Sequence, residues 1–346
     1  MIENRFVVGG SGSETTTPFD IAYDAATKRI GLANVSRWDR VEVAGRDRAK
    51  LIGNLCTNEI VKLPMGTGCE AFFLSAKGKT IDYGTIYSVG ESLWIDLEPT
   101  RGALMVKHLD RYVFREDVQL HDRSESHTQF HLAGPKGTEL LSLLGLSGEL
   151  PERAVVVQEW EGTSIQLRRR ARSIEGGLDI VIPAEHAVRL WNRLLEVGKP
   201  LGLEVMGDDV LETLRVEASL PRFGMEVTEE NLPQEIGRDK EAISFHKGCY
   251  IGQETVARLD AYGHVNKILR GFESESGAPM DAGQPLFKEG KQVGTIASAV
   301  DSPRWSKRIG MGVVRVAGVE VGSTVEAQTP AGPIAVRVVA LPFATP

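Results

Sequence analysis

Lys247-Gly248-Cys249-Tyr250-Ile251-Gly252-Gln253-Glu254 sets one cysteine between a glycine and an aromatic, with a lysine two residues before it and Arg258 following the Gly-Gln-Glu triplet. Glycine lets the backbone bend sharply or approach a ligand closely. Lysine and arginine nearby favour the thiolate over the thiol. On this chemistry the stretch reads either as a ligand-facing loop with an activated cysteine or as a glycine-rich turn around a small buried one, because free cysteine is among the most buried residue types. The flanking chain has to decide.

Beyond residue 262 short β-rich runs alternate with glycine and proline, at 268–273, 292–299, 311–316, 324–328 and 334–340. They carry no helical stripe, so the spacing predicts a small antiparallel barrel or sandwich. Before the motif, Asp208 or Asp209 caps a helix bearing Val210, Leu211, Leu214 and Ala218, which Pro221 ends. A polar, glycine-bearing stretch (222–240) leads from it to the motif.

Farther upstream one order of elements occurs twice: strand, Ala-Gly, helix, three strands, proline, helix. The first copy has Val41 and Val43, Ala44-Gly45, a stripe at Ala49, Ile52, Leu55 and Cys56, and strands at 70–74, 81–87 and 93–97. Lys77-Gly78-Lys79 makes the hairpin turn, and Pro99-Thr100 opens a helix. The second copy has a strand into Ala133-Gly134, a helix with Leu140, Leu141, Leu143 and Leu144, and strands at 154–160, 164–168 and 178–182. Pro183 then opens a helix stopped by Gly198. The proline follows the glycine by about 50 residues in each copy, which suggests an internally duplicated α+β unit. Chance recurrence of alternating strands and helices is the competing reading.

The chain has 346 residues, more than one typical domain. It is 42% hydrophobic and 25% charged, ordinary for a globular protein. A net charge of -7 gives no strong nucleic-acid signal. Cys56, Cys69 and Cys249 form no C-x-x-C, which argues against a disulfide framework or a zinc site and for a reducing compartment, the cytoplasm. No apolar run is long enough to span a membrane. The polar, Gly/Ser/Thr-rich residues 1–17 lack a secretory pattern and are expected to be a flexible lead-in, with order starting near Phe19. Cys56 and Cys69 read as structural, the five tryptophans as packing, and His246 as scaffolding. Arg168, Arg169, Arg170 and Arg172 read as a solvated strand edge, with a polyglutamate tail, an acidic partner or RNA as the competing reading.

At Lys247 to Glu254 the sequence resembles the K-G-C-Y-x-G-Q-E signature of the YgfZ-type proteins. These are relatives of the glycine cleavage T-protein, the folate-dependent aminomethyltransferase. Residues 31–45, GLANVSRWDRVEVAG, are similar to that superfamily's G-L-x-D-V-S segment, with Asn34 where T-proteins usually have aspartate. Leu214 to Ala218 resembles its L-R-x-E-A helix, and Gly294 to Ser298, Ser302-Pro303 and Ile309 to Gly312 resemble its barrel segment. These anchors fall in the family's order. The resemblance implies an α+β, T-protein-like three-domain ring: two interleaved α+β domains (1–40 with 127–203, and 41–126 with 204–262) and a C-terminal β-barrel (263–346).

The resemblance also implies chemistry. T-proteins carry paired aspartates after a hairpin; here Asp82 remains and Tyr83 replaces the second. A phenol with a pKa near ~10 does not do a carboxylate's work at neutral pH. An arginine that T-proteins usually carry four positions before the one matching Arg215 is here Leu211. Asp179 stands where T-proteins grip the pterin with a carboxylate, usually glutamate, through two parallel N–H bonds. Trp94 would border the folate cavity. The implied catalytic set is Cys249, Lys247 and Asp82; the implied folate-contacting set is Asp179, Tyr83, Trp94, Arg215, Gln253, Glu254 and Arg258. Cys249 would meet substrate, a thiol partner or a cluster, with Lys247 and Arg258 supplying positive charge. Gain of the cysteine with loss of the transferase carboxylate points to a tetrahydrofolate-binding accessory protein in iron–sulfur cluster assembly or repair, whose partners are folate and iron–sulfur client or assembly proteins. The alternative is a tetrahydrofolate-dependent aminomethyl- or methyltransferase. One cysteine does not hold a cluster alone, so no permanent metal or cluster is expected.

Overall fold

The computed structural model describes residues 17–170, 172–274, 278–317 and 319–344. Nearly all of the expected flexible lead-in lies outside this range. The chain starts α1 (Phe19–Lys28), β1 (Ile30–Asn34), β2 (Asp39–Ala44), α2 (Arg48–Leu55), β3 (Gly68–Leu74), β4 (Thr80–Val89), β5 (Ser92–Leu97), α3 (Gly102–Asp110) and β6 (Gln119–Asp122). It continues with β7 (His127–Ala133), α4 (Gly137–Leu143), β8 (Val155–Trp160), β9 (Thr163–Arg169), β10 (Gly177–Pro183), α5 (Ala187–Gly198), β11 (Leu203–Val205) and α6 (Asp208–Glu217). After α7 (Asp239–Ala242) and α8 (Gln253–Tyr262) come β12 (Lys267–Ser274), β13 (Pro285–Lys288), β14 (Lys291–Thr295), β15 (Ser298–Ser302), β16 (Lys307–Arg315), β17 (Thr324–Thr329) and β18 (Gly332–Val339).

The chain divides into two compact units. One takes the described residues up to Gly53, Glu59–Glu70 and Gly84–Leu211; the other takes Asn54–Asn58, Ala71–Tyr83 and the described residues from Glu212 onward. The first unit holds a six-stranded sheet in the order β11-β1-β7-β10-β9-β8. β10 is buried along almost its whole length. Its alternate residues Leu178, Ile180 and Ile182 join a core with Phe130 and Leu132 of β7. α5 covers that core with Ala187, Leu190, Trp191 and Leu194, the stripe of a 3.6-residue period. Because side chains alternate across a strand, the residues between these, Gln129, His131 and Asp179, share the opposite face. That alternation builds the candidate site.

The β3-β4-β5-β2 order of the second sheet repeats the β8-β9-β10-β7 order of the first. Both Ala-Gly exits take φ of 99°, at Gly45 and Gly134. A Cβ on Gly45 would lie 2.1 Å from Asp117 O, and one on Gly134 2.6 Å from Arg29 O, so only glycine fits either corner. Strand order and corner conformation thus recur in the two copies, in keeping with the repeated order of elements in the sequence.

The C-terminal strands close as β12-β18-β17-β13-β14-β16, with β12 pairing back onto β16 and β15 lying on β16. Phe272, Leu286, Val314, Val325, Ala327, Val336 and Val338 fill this barrel. The run 292–299 is two strands, broken at Ile296 and Ala297, whose N–H groups donate to Gln284 and Met311 carbonyls. Two expected helix boundaries shift. Thr100 takes φ of 68°, so α3 begins only at Gly102, whose N–H donates to Asp39 Oδ2 at 2.6 Å. The chain after Gly198 continues through a 3₁₀ turn to Gly202, where φ reaches 79°.

Candidate functional site

The β7–β10 register sets Asp179 directly opposite His131, and the β9–β10 register sets it opposite Arg168. Asp179 is fully buried. Its Oδ1 accepts from Nδ1 of His131 at 2.7 Å, and its Oδ2 accepts from Gln129 Nε2 at 2.8 Å and Arg172 Nη2 at 3.2 Å. Burial pushes its carboxyl pKa up, but Arg172, the His131 bond and Arg170 outweigh burial and hold it well below the usual range. His131 is lowered, by burial first, against the pull of Asp179. It is therefore neutral at neutral pH, with Nδ1 protonated and Nε2 bearing the lone pair. Arg172 lies flat against Trp38, its guanidinium carbon 3.6 Å from the ring centroid. His131 Nε2, Arg172 Nε, Trp38 Nε1 and the Tyr87 hydroxyl are buried without hydrogen-bond partners among the described residues.

Arg168, Arg170 and Arg172 are not a solvated edge, which corrects the expectation from the basic run. Arg168 is fully buried, bonded to Asp96 Oδ1 at 2.5 Å and lying over the Tyr87 and Trp94 rings at 4.7 and 5.5 Å. Arg170 reaches Asp96 Oδ2 at 3.2 Å. An inward-facing position on β9 for Arg168, and a buried carboxylate for each of the three, Asp96 or Asp179, override the arginine preference for surface. Trp94 is buried beneath Arg168, with its Nε1 donating to Ser92 Oγ at 3.0 Å. Asp179 already takes N–H groups of this chain, one on Oδ1 and two on Oδ2, so the expected parallel two-bond grip on a ligand requires Oδ2 to give up a donor. Sequence reasoning missed Gln129, His131 and Asp96 and met Arg172 only as part of the basic run; the one visible signal for the first two was polar residues alternating with Phe130 and Leu132 on a buried strand.

The second unit carries the Cys249 loop. Cys249 is exposed, whereas Cys56 and Cys69 are buried, so the reading of Cys249 as a buried turn residue is excluded. Lys247 Nζ donates to the carbonyls of Cys56 at 2.9 Å and Asn58 at 2.6 Å and lies 4.9 Å from the Tyr250 ring centroid. It thus braces the loop, a role the sequence did not suggest. Ile251 N–H donates to Asn54 O at 3.0 Å, and Tyr250 N–H to Gln253 Oε1 at 3.0 Å, so Gln253 shapes the loop from the first turn of α8. Burial, then Cys56, pushes the Tyr250 hydroxyl up to about 12. Glu254 and Arg258 are exposed on α8.

Asp82 is buried, and its Oδ1 accepts from Tyr83 N–H at 2.9 Å. Tyr83 stacks on Phe72 with ring centroids 4.6 Å apart. The Arg215 guanidinium bonds to Glu212, Glu226, Ser298 Oγ and the Leu220 carbonyl, with a partner on each nitrogen. Its donors are committed to the frame of the unit, which corrects the expectation that it contacts a ligand. Among the described residues no group of three or more His, Cys, Asp or Glu side chains is placed to hold a metal ion. No described helix is long and apolar enough to cross a membrane.

Just before the loop, Asp239 has its pKa pushed up to about 6, by burial first and then by Asp260 and Glu241. The folded state therefore binds more protons than the unfolded state between about pH 4 and pH 6, and stability falls as pH rises through that window. Asp239→Asn is expected to raise stability above pH 6 by about 1 kcal/mol after allowance for solvent screening. The gain should vanish below about pH 4. Urea titrations at pH 4 and 7.5 check this; an equal gain at both pH values contradicts it.

Residues 17–246 match the model of the GCVT N-terminal domain, and residues 267–344 match that of the glycine cleavage T-protein C-terminal barrel domain. A chloroplastic protein of Arabidopsis thaliana, provisionally named a transferase, is 29% identical over 310 residues, covering 88% of this chain and 70% of that protein. An aminomethyltransferase of Symbiobacterium thermophilum is 29% identical over 347 residues, covering 92% and 87%. The crystal structure of the glycine cleavage system aminomethyltransferase T from Bartonella henselae superposes with a TM-score of 0.87 at 21% identity, covering 95% of this chain and 91% of that one. The last comparison speaks to fold.

Proposed function

This chain belongs to the glycine cleavage T-protein family, and on that footing we propose that it binds tetrahydrofolate or a one-carbon derivative and transfers an aminomethyl or methyl group. The observation that carries this reading is the buried polar row of Asp179, His131, Gln129 and Arg172 beside Trp38. Buried polar atoms without partners call for an explanation, and four occur in and around this row. The set fits a pterin: an ionised carboxylate and a neutral imidazole lone pair suit its N–H groups, and an indole face suits its flat ring. When bound, folate supplies the nitrogen that carries the one-carbon unit. In the other unit, Asp82 is the carboxylate that the family resemblance assigns to the chemistry, and Tyr83 stands at the position of the second carboxylate.

Titration with tetrahydrofolate, followed by tryptophan fluorescence, tests binding; no change up to millimolar ligand sinks the proposal. Turnover is tested by methylenetetrahydrofolate formation from an aminomethyl donor. Asp82→Asn is expected to lower kcat about 100-fold or more, with folate affinity within a few-fold of the parent. An unchanged kcat removes Asp82 from the chemistry.

The exposure of Cys249 favours a second reading, the YgfZ-type one, in which a folate-binding accessory protein serves iron–sulfur cluster assembly or repair in the cytoplasm. There Cys249 meets a client thiol or a cluster shared with a partner, while Lys247 holds the loop. Cys249→Ala in cells lacking the protein tests this: full recovery of iron–sulfur enzyme activities rules the reading out.

A further inference from the structure

We propose that Arg172 is a self-ligand: its guanidinium occupies the place on Asp179 and Trp38 that the 2-amino and N3–H edge of a pterin takes, and it withdraws when folate binds. This rests on the folate reading above. A guanidinium and a 2-aminopyrimidinone edge offer the same thing, a flat group with adjacent N–H donors. Arg172 presents that group twice over, stacked 3.6 Å above the Trp38 ring and donating to Asp179 Oδ2 at 3.2 Å.

Arg172 fits its place poorly. Its Nε is buried with no hydrogen-bond partner. Three guanidinium groups share two carboxylates here: Arg168 and Arg170 hold Asp96, and Arg172 holds Asp179. Arg168 has Gln166 and two aromatic rings besides Asp96. Burial opposes the charge of Arg170 too, but Asp96, Asp179 and Glu98 outweigh it. Arg172 is left with one carboxylate bond at 3.2 Å, and burial and the neighbouring Arg170 both oppose its charge. A neutral pterin gives Asp179 its N–H donors without the surplus cation.

Arg172 is also placed to leave. Arg168 is held in the β9–β10 ladder, and Arg170 N–H donates to Gly177 O at 3.0 Å. Arg172 lies beyond these bonds, in the connection to β10 that Gly176 closes with φ of 78°. Its withdrawal breaks no strand pairing. His131 and Gln129 stay behind on β7 and keep Asp179 oriented.

The test is a titration of the full chain with 5-formyltetrahydrofolate, read by tryptophan fluorescence, for the parent, Arg172→Ala, Arg172→Gln and Asp179→Asn. If Arg172 holds the site in about 80–90% of molecules, its removal tightens apparent affinity about 5–10-fold. Asp179→Asn is expected to weaken binding by about 10-fold or more, because a charge-assisted acceptor is lost. In the parent, saturating ligand should also speed tryptic cleavage after Arg172 several-fold. Binding by the parent with equal or weaker affinity in both Arg172 variants overturns the self-ligand, and so does ligand-independent cleavage. Absence of binding by the parent and both Arg172 variants overturns the folate reading itself, which separates the two failures.

Discussion

Asp96→Ala is expected to destabilise the protein by about 3–5 kcal/mol, a large share of the stability of an ordinary domain. Asp96 is 3% exposed and Arg168 is 0% exposed, so neither can turn to water when its partner goes. Removing the carboxylate strips Arg168 of its contact at 2.5 Å and Arg170 of its contact at 3.2 Å together. One fully buried cation, Arg168, and one partly buried cation, Arg170, are then left without that carboxylate. The loss is dominated by this uncompensated charge rather than by the net value of the ion pair, which can be small against apolar groups of the same size. The prediction thus has a built-in control. Asp96→Leu combined with Arg168→Met removes charge and counter-charge together and is expected to recover about half of the loss or more. Urea unfolding followed by tryptophan fluorescence measures both variants. A loss below about 1 kcal/mol for Asp96→Ala, the range of surface pairs, would show that Arg168 is solvated after all.

The same contact shows where sequence reading stops. The barrel strands and the α5 stripe are local periodicities, each visible in a window of about 10 residues, and the duplicated order is a succession of such windows. The burial of Arg168 is not local: its partner lies 72 residues away on another strand. Read without that partner, a basic run defaults to surface, because arginine is seldom buried unless paired. Gln129 and His131 were legible as alternating polar residues, but nothing in β7 itself announces Asp179 across the register. The short strands β6, β11 and β13, of 4, 3 and 4 residues, carry too few positions to show a period. α8 was read as loop because Gly252 precedes it and its buried apolar face reduces to Val256. The family anchors, by contrast, were legible at once, since they are backbone corners and packing contacts that few residue types satisfy.

Gly252→Ala is the second large effect, expected to cost about 2–4 kcal/mol and to disorganise the Cys249 loop. Gly252 takes φ of 82°, a left-handed conformation that costs a residue with a side chain about 1–2 kcal/mol. The added Cβ would also lie 2.7 Å from Ser75 O, 3.0 Å from Leu74 Cβ and 3.1 Å from Gly78 Cα. Two of these are backbone atoms of the β3–β4 hairpin turn and cannot step aside as a flexible side chain would. The hairpin has no slack to give, because a Cβ on Gly78 would itself lie 2.5 Å from Thr255 Cβ of α8. Gly248 shares the motif but not the constraint: nothing lies within 4 Å of where its Cβ would sit. Gly248→Ala is therefore expected to stay within about 0.5 kcal/mol of the parent. Thermal unfolding separates the two glycines. The rate of Cys249 modification by a disulfide reagent then reports the loop directly, and it should change several-fold in Gly252→Ala and little in Gly248→Ala. Equal behaviour of the two variants would mean that Gly252 does not fix the entry to α8, and that Lys247 and Gln253 hold the loop without it.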